Sequence, residues 1–285
     1  MAVTTVHGLA DPQVGARNVA RLLKLLGHQN VPVYIGAARS THENRRFPQK
    51  WREETEALRG VSLPEVGPKC ASTSAAKFLT SHFMRVHGDI QLLALGPLTN
   101  IAEALQLSAG NCELSHLSVT SMGGAFAVPG NLRAGDGFET DNLFSEWNFY
   151  VDPWAADLVL RSNINLTLVP LDATNCVPIS STVLTNLHTI SQTPAALFTL
   201  ELLSTIKHWI QEGHYFAWDP LAAAIVVQPC IATFISEKVT IDLGHDHSGR
   251  TTFSKLGAYA RVAVAADPVA FEQTFISTLS RTEST

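Results

Sequence analysis

Apolar positions along the chain follow two spacings. Short β-branched or near-continuous apolar runs predict strands at Val3–Val6, Val31–Ile35, Ile90–Leu95, Leu117–Thr120, Leu166–Leu171, Val239–Leu243, Arg250–Phe253 and Arg261–Ala265. Between them, apolar residues recurring every three or four positions predict helices. Val14, Val19, Leu22, Leu23 and Leu26 form one such face, opened by Asp11-Pro12 and closed by Gly27. Ser72–His87, Ile101–Leu107, Trp154–Arg161 behind Asp152-Pro153, Ser181–Ile190, Pro194–Glu212, the apolar start Leu221–Val227 and Asp267–Leu279 complete the set. Buried strands joined through helices predict an α/β fold. We expect one domain over residues 1–285, with a mainly parallel, Rossmann-like open sheet flanked by helices.

Two stretches break the pattern. Residues 37–70 are polar and irregular, with Trp51 among charges; taken alone, Trp51 reads as a side chain packing on a short helix. The second stretch, Met122–Pro153, opens on Gly123-Gly124, passes Gly130 and Gly135, and carries Asn131, Asp136, Glu139, Asp141, Glu146 and Asn148. Carboxylates and amides make bidentate hydrogen bonds to neighbouring hydroxyls, so such a loop suits a small polyhydroxylated molecule. Loops of this length are uncommon unless functional or disordered. The turn Gly96-Pro97-Leu98-Thr99-Asn100 sits at the carboxyl end of a strand, where open α/β sheets place ligands.

The 285 residues are 46% hydrophobic and 16% charged, enough to bury a sizeable core. A net charge of -5 argues against nucleic acid and anionic membrane as partners. No run approaches the ~18 to 20 apolar residues of a membrane span. The N-terminus does not read as a secretory signal, and Cys70, Cys112, Cys176 and Cys230 form no CxxC. They read as reduced, partly buried thiols of a cytoplasmic protein. His245 and His247 read as solvated turn histidines, not a metal pair, and His82 and His87 as solvent-facing. Dinucleotide, P-loop and α/β-hydrolase motifs are absent. What remains is Asp219 in Trp218-Asp219-Pro220. Alone it reads as a helix N-cap; with Glu146 and Asn148 it reads as part of a sugar or hard-cation site, because Ca²⁺ prefers carboxylate and carbonyl oxygens.

The ordered strings LALGPLTNIAEAL (Leu93–Leu105), MGGAFAVPGN (Met122–Asn131), EWNFYVDPWAA (Glu146–Ala156), VPLDAT (Val169–Thr174) and WDPLAAA (Trp218–Ala224) resemble the inosine/uridine-preferring nucleoside hydrolases. The resemblance extends over nearly all the chain. It implies the nucleoside hydrolase fold and a calcium-dependent N-glycosidase that cleaves ribonucleosides to base and ribose, assembled as a homodimer or homotetramer. Carried over by motif, Asp219 is a Ca²⁺ ligand, Leu95 contributes its backbone carbonyl, and Asn131, Glu146 and Asn148 hold the ribose hydroxyls. Many members have histidine before the metal aspartate. Trp218 at that position, and Trp147, resemble the purine-preferring (inosine-adenosine-guanosine) branch, where stacking assists departure of the base. Trp51 is the second stacking candidate.

The chain departs from the family in one respect. The Asp-rich DxDxGxDD strand that supplies the general base and the other metal aspartates has no counterpart, and Gly8 is followed by Leu9 instead of Asn or Asp. One carboxylate and one carbonyl hold Ca²⁺ poorly when 6 to 8 oxygens are typical. The expectation is an N-terminally truncated or degenerate homologue with unpaired sheet edges and impaired purine nucleoside hydrolysis. The rival expectation is a non-catalytic nucleoside- or ribose-binding protein.

Overall fold

The computed structural model describes residues 1–67, 71–85, 89–108, 114, 116–190 and 192–281. The chain runs β1 (Val3–Thr4), α1 (Pro12–Leu25), β2 (Val33–Tyr34), α2 (Gln49–Glu56), α3 (Ala75–Arg85), β3 (Ile90–Ala94), α4 (Thr99–Leu107), β4 (Leu117–Met122), α5 (Trp147–Val151), α6 (Pro153–Leu160) and β5 (Asn165–Val169). It continues α7 (Leu171–Thr174), α8 (Ser181–Ile190), α9 (Pro194–Thr205), α10 (Lys207–Gln211), α11 (Trp218–Val227), β6 (Ala232–Ile241), β7 (Thr251–Phe253), β8 (Ala258–Ala266) and α12 (Pro268–Leu279). Four helices start on the same local device, a polar cap followed by proline: Asp11-Pro12, Asp152-Pro153, Thr193-Pro194 and Asp267-Pro268. Each cap oxygen accepts an orphan backbone N–H, and proline has none to lose.

The main sheet has six strands in the order β3-β4-β5-β8-β6-β7. The β3–β4, β4–β5 and β5–β8 pairs are parallel, and β6 runs antiparallel to both neighbours. Successive side chains of β5 and β8 point to opposite faces. Leu166, Leu168 and Val262 pack with α3, α4 and α6, while Val169 and Ala263 pack with α7 to α12. Helices therefore cover both faces, as a parallel sheet requires.

β1 and β2 stand apart as a two-stranded parallel sheet. Among the described residues β1 pairs only with β2, and β3 only with β4. Leu93 in β3 and Leu95 just beyond it are 38% and 40% exposed, unusual for a parallel strand. Side chains, not a strand ladder, hold the small sheet to the large one. Asn100 Nδ2 donates to Thr5 O at 2.8 Å, and its Oδ1 accepts from Ala37 N at 2.9 Å. Gly36 leaves room for that amide, since a Cβ there would lie 2.2 Å from Asn100 Oδ1.

Asp152, 1% exposed, is the second tie. It accepts from Thr41 N (2.9 Å), Thr41 Oγ1 (2.7 Å), Thr99 Oγ1 (2.7 Å) and Ala155 N (3.1 Å). The Thr99 proton goes to Asp152, so its oxygen accepts from His7 Nε2–H at 2.9 Å, which assigns the His7 tautomer. Burial lowers the His7 pKa to about 4 against the pull of Asp152, so the ring stays neutral at pH 7.

Several expectations are corrected. The Pro194–Glu212 helix breaks at Ile206 into α9 and α10. Strand β6 starts at Ala232, earlier than the expected Val239. Its first half alternates against a mostly exposed face and lacks a continuous apolar run. Trp51 does lie on a short helix, α2. His245–His247 forms an exposed 3-10 turn. Cys230 is exposed instead of partly buried, and Cys70, Cys112 and His87 lie outside the described residues. No described helix is long and apolar enough to cross a membrane.

Asp152→Ala leaves donors from three segments unpaired, those of Thr99 and Ala155 buried, and should cost about 3 kcal/mol or more. Urea denaturation measures this; a loss below about 1 kcal/mol would show that the junction is held otherwise.

Candidate functional site

The site begins where β4 ends. Gly123 is required there, because a Cβ would sit 2.4 Å from the Phe149 ring. The following loop folds back on itself through Gly130 N to Leu143 O (2.8 Å) and Asn131 N to Ser145 O (3.1 Å). Asn142 Oδ1 gathers Phe144 N, Ser145 N and Ser145 Oγ. The loop thus has internal structure and delivers Glu146 to the N-cap of α5.

Glu146 is 2% exposed. Its carboxylate accepts from Asn148 N at 3.0 Å and from Phe149 N and Gly124 N at 3.3 Å. Asn131 Oδ1 accepts from Trp147 N at 3.1 Å, and Asn148 Nδ2 donates to Met122 O at 3.2 Å. Asn131, Glu146 and Asn148, expected from sequence to act together, are therefore brought together around the first turn of α5.

Asp219 arrives from the other side. Ala217, not Asp219, occupies the N-cap position of α11, so the capping alternative is overturned; Asp219 stands in the first turn. It is half-buried, and among the described residues its carboxylate has no hydrogen-bond or ion-pair partner. Burial raises its pKa to about 7. Glu146 is also raised to about 7, by burial first; its backbone donors oppose the shift and the charge of Asp219 adds to it. The two carboxyl groups thus share one electrostatic environment. The charge of Asp219 disfavours ionisation of Glu146, and a positive charge near them would relieve it.

The aromatic candidates divide. Trp218 lies beside Asp219, with Tyr215 edge-on at 5.2 Å and Phe216 at 5.9 Å. Trp147 is corrected from stacking surface to core residue: it is 4% exposed, with Phe47 stacked at 4.9 Å and Phe138 at 4.7 Å. Trp51 meets the edge of Trp147 at 5.5 Å and donates Nε1–H to Asp136 at 2.9 Å, so the pair clasps α2 to the loop. Sequence reasoning passed over Tyr215. Burial and the charge of Asp219 both raise its phenol pKa, which places it at the same site. The signal available was its i, i+3, i+4 spacing to Trp218 and Asp219 at a helix start.

Leu95 follows β3 directly. Among the described residues, however, no group of three or more His, Cys, Asp or Glu side chains stands close enough to share a metal ion. Asp219 and the Leu95 carbonyl offer at most three oxygens where calcium takes 6 to 8. The described donor set does not fit a calcium ion.

Both raised carboxyl groups favour the protonated form in the fold. Their contribution to stability is fully present below about pH 4, near the unfolded values, and is lost as pH rises through about 7. Thermal melts between pH 4.5 and 7.5 should show this decline, opposed by neutral His7, whose contribution rises with pH between about 4 and 6.5. Glu146→Gln should flatten the decline; an unchanged slope would separate Glu146 from it.

The sequence model of the family described as inosine-uridine preferring nucleoside hydrolase matches residues 1–273. Uridine nucleosidase 1 of Arabidopsis thaliana is 28% identical over 246 residues, covering 85% of this chain and 70% of the relative. Pyrimidine-specific ribonucleoside hydrolase RihA of Shewanella oneidensis is 32% identical over 259 residues, covering 90% and 75%. The solved structure of a purine-preferring ribonucleoside hydrolase from Gardnerella vaginalis superposes with a TM-score of 0.83 at 24% identity, covering 98% of this chain and 89% of that one. Glu146 and Asp219 thus lie in a fold shared with these enzymes, and the chain belongs to the inosine-uridine preferring nucleoside hydrolase family.

Proposed function

We propose that this chain binds a purine ribonucleoside between the Asn131–Glu146–Asn148 group and the Trp218–Asp219 turn, and that its hydrolysis of the N-glycosidic bond is impaired. The observation that carries this reading is the Asp219 carboxylate: half-buried, raised to about 7, without a hydrogen-bond or ion-pair partner among the described residues, and within electrostatic reach of buried Glu146. A carboxylate kept unpaired in such a place costs stability unless a ligand repays it. Ribose hydroxyls do so by donating hydrogen bonds, and the cationic sugar of an oxocarbenium-like transition state does so by charge.

The chain's own residues divide the work. Asn131 Nδ2 and Asn148 Oδ1, the amide atoms without a partner among the described residues, are the donor and acceptor for the sugar. Glu146, locked by three backbone N–H groups, fixes the α5 turn and sets a negative potential beneath the ring. Trp218 offers the stacking surface for the base, and the larger π-face of a purine favours it over a pyrimidine. Relatives bear uridine and pyrimidine names as well as purine ones, so base preference rests here on Trp218.

Impairment rests on the metal donor set. Among the described residues one carboxylate and one carbonyl do not hold calcium, and loss of a metal removes most catalysis in an enzyme that depends on it. The same shortage favours the second reading, a nucleoside-binding protein without turnover.

Calorimetry with inosine and uridine, with calcium and with chelator, tests the proposal. Inosine should bind more tightly than uridine, little affected by calcium, with hypoxanthine release near background. Turnover that chelator abolishes would contradict the impairment, and uridine bound more tightly than inosine would contradict the base preference. Trp218→Ala should weaken inosine by about 1 to 3 kcal/mol, read from the same titrations.

A further inference from the structure

The turn between β6 and β7 exposes His245 and His247, but Ser248 and Thr251 just beyond them are buried. This buried stretch grips the Met122–Pro153 loop at both ends. Towards the loop's exit, Ser248 O accepts from Asn142 Nδ2 at 3.0 Å and from Ser145 Oγ at 2.8 Å. Gly249 packs on α5, where a Cβ would lie 2.8 Å from Tyr150 N. At the loop's entry, Thr251 Oγ1 accepts from Ala125 N at 2.9 Å and donates to Ala125 O at 2.7 Å. One hydroxyl thus satisfies both backbone groups of a buried residue 126 positions away.

Ala125 directly follows Gly124, whose N–H donates to Glu146 Oε2 at 3.3 Å. The backbone around that N–H is tied on every side. Gly123 N donates to Val169 O at 3.2 Å, and Gly124 O accepts from Leu171 N at 2.9 Å. Phe126 N and Ala127 N donate to the two Asp172 carboxylate oxygens at 2.9 and 2.7 Å. Two glycines in succession impose little conformational preference of their own. The direction of the Gly124 N–H is therefore set by these bonds, and the nearest side-chain tie is the Thr251 hydroxyl.

We propose that Thr251 is a positioning residue for the Asn131–Glu146–Asn148 group, its hydroxyl holding Ala125 so that the Gly124 N–H stays on the Glu146 carboxylate. Its effect on ligand affinity rests on the nucleoside reading above. Without the hydroxyl, Ala125 N and O are buried and unpaired, and the segment shifts to recover partners. Glu146 then loses one of its three backbone donors, and the turn of α5 that it caps loses part of its anchorage.

Thr251→Val removes the hydroxyl at similar shape, and Thr251→Ser retains it. Inosine affinity, measured by calorimetry, should fall about tenfold in Thr251→Val and return to within about twofold of wild type in Thr251→Ser. The second readout needs no ligand. The Gly124 N–H opposes the upward shift of the Glu146 pKa, so its withdrawal raises that group further. In thermal melts the loss of stability with rising pH should therefore extend to higher pH in Thr251→Val, and this extension should vanish when Glu146→Gln is added. Asp219, the charge that acts on Glu146, is common to all these variants. Asp172→Asn leaves one of its two N–H groups without an acceptor and loosens the same segment from its other side. It should move both readouts in the same direction, which keeps the test decisive if Thr251→Val does not fold. An unchanged pH profile in the folded variants would mark Thr251 as structural and overturn the proposal, as would an inosine affinity that Thr251→Ser fails to restore. A wild-type protein that binds no inosine would remove the nucleoside reading, and the pH profile alone would then decide this one.

Discussion

The two-stranded sheet of β1 and β2 shares no ladder with the six-stranded sheet among the described residues, and side-chain hydrogen bonds carry the junction between them. Elsewhere in the sheet, repeated main-chain bonds hold neighbouring strands and distribute the load. Here Asn100 bonds Thr5 and Ala37, and Asp152 collects Thr41, Thr99 and, through Thr99, His7. Such groups are costly to bury singly and stabilising only when every partner is present. That explains why His7 is held neutral and why Gly36 leaves space for an amide.

The same junction reaches the candidate site. Asp152 caps α6 and directly follows α5, the helix whose first turn carries Glu146 and Asn148. A change that loosens Asp152 therefore loosens one end of the Asn131–Glu146–Asn148 group. The opposite end is fixed by the Gly123-Gly124 turn against Phe149. Between these anchors a buried glutamate is kept in a position that raises its pKa, facing an aspartate raised for the same reason. Stability is spent on a pair of carboxyl groups that the core does not need, a pattern that marks a place for a ligand.

Much of this was legible in the sequence because it is local. Asp11-Pro12 and Asp152-Pro153 announce helix starts through one cap oxygen and one missing N–H, and the structure places them so. The loop from Met122 to Pro153 was recognisable from glycine spacing and polar content, and its Asn131–Glu146–Asn148 group does assemble. What was not legible depends on distant partners. Trp147 is core because Phe47 and Phe138, far away in sequence, close around it. Asp219 fails to cap α11 because the helix begins two residues earlier than its Asp-Pro pair suggests. The break at Ile206 carries no proline or glycine.

The central claim is that Asp219 stands unpaired because a ribonucleoside completes it. A crystal structure of the protein soaked in inosine tests this most directly. The account predicts ribose density between Asn131, Glu146, Asn148 and Asp219, with the base against Trp218. Inosine bound elsewhere, such as the groove between Trp154 and Leu105, with Asp219 still unpaired, would contradict it.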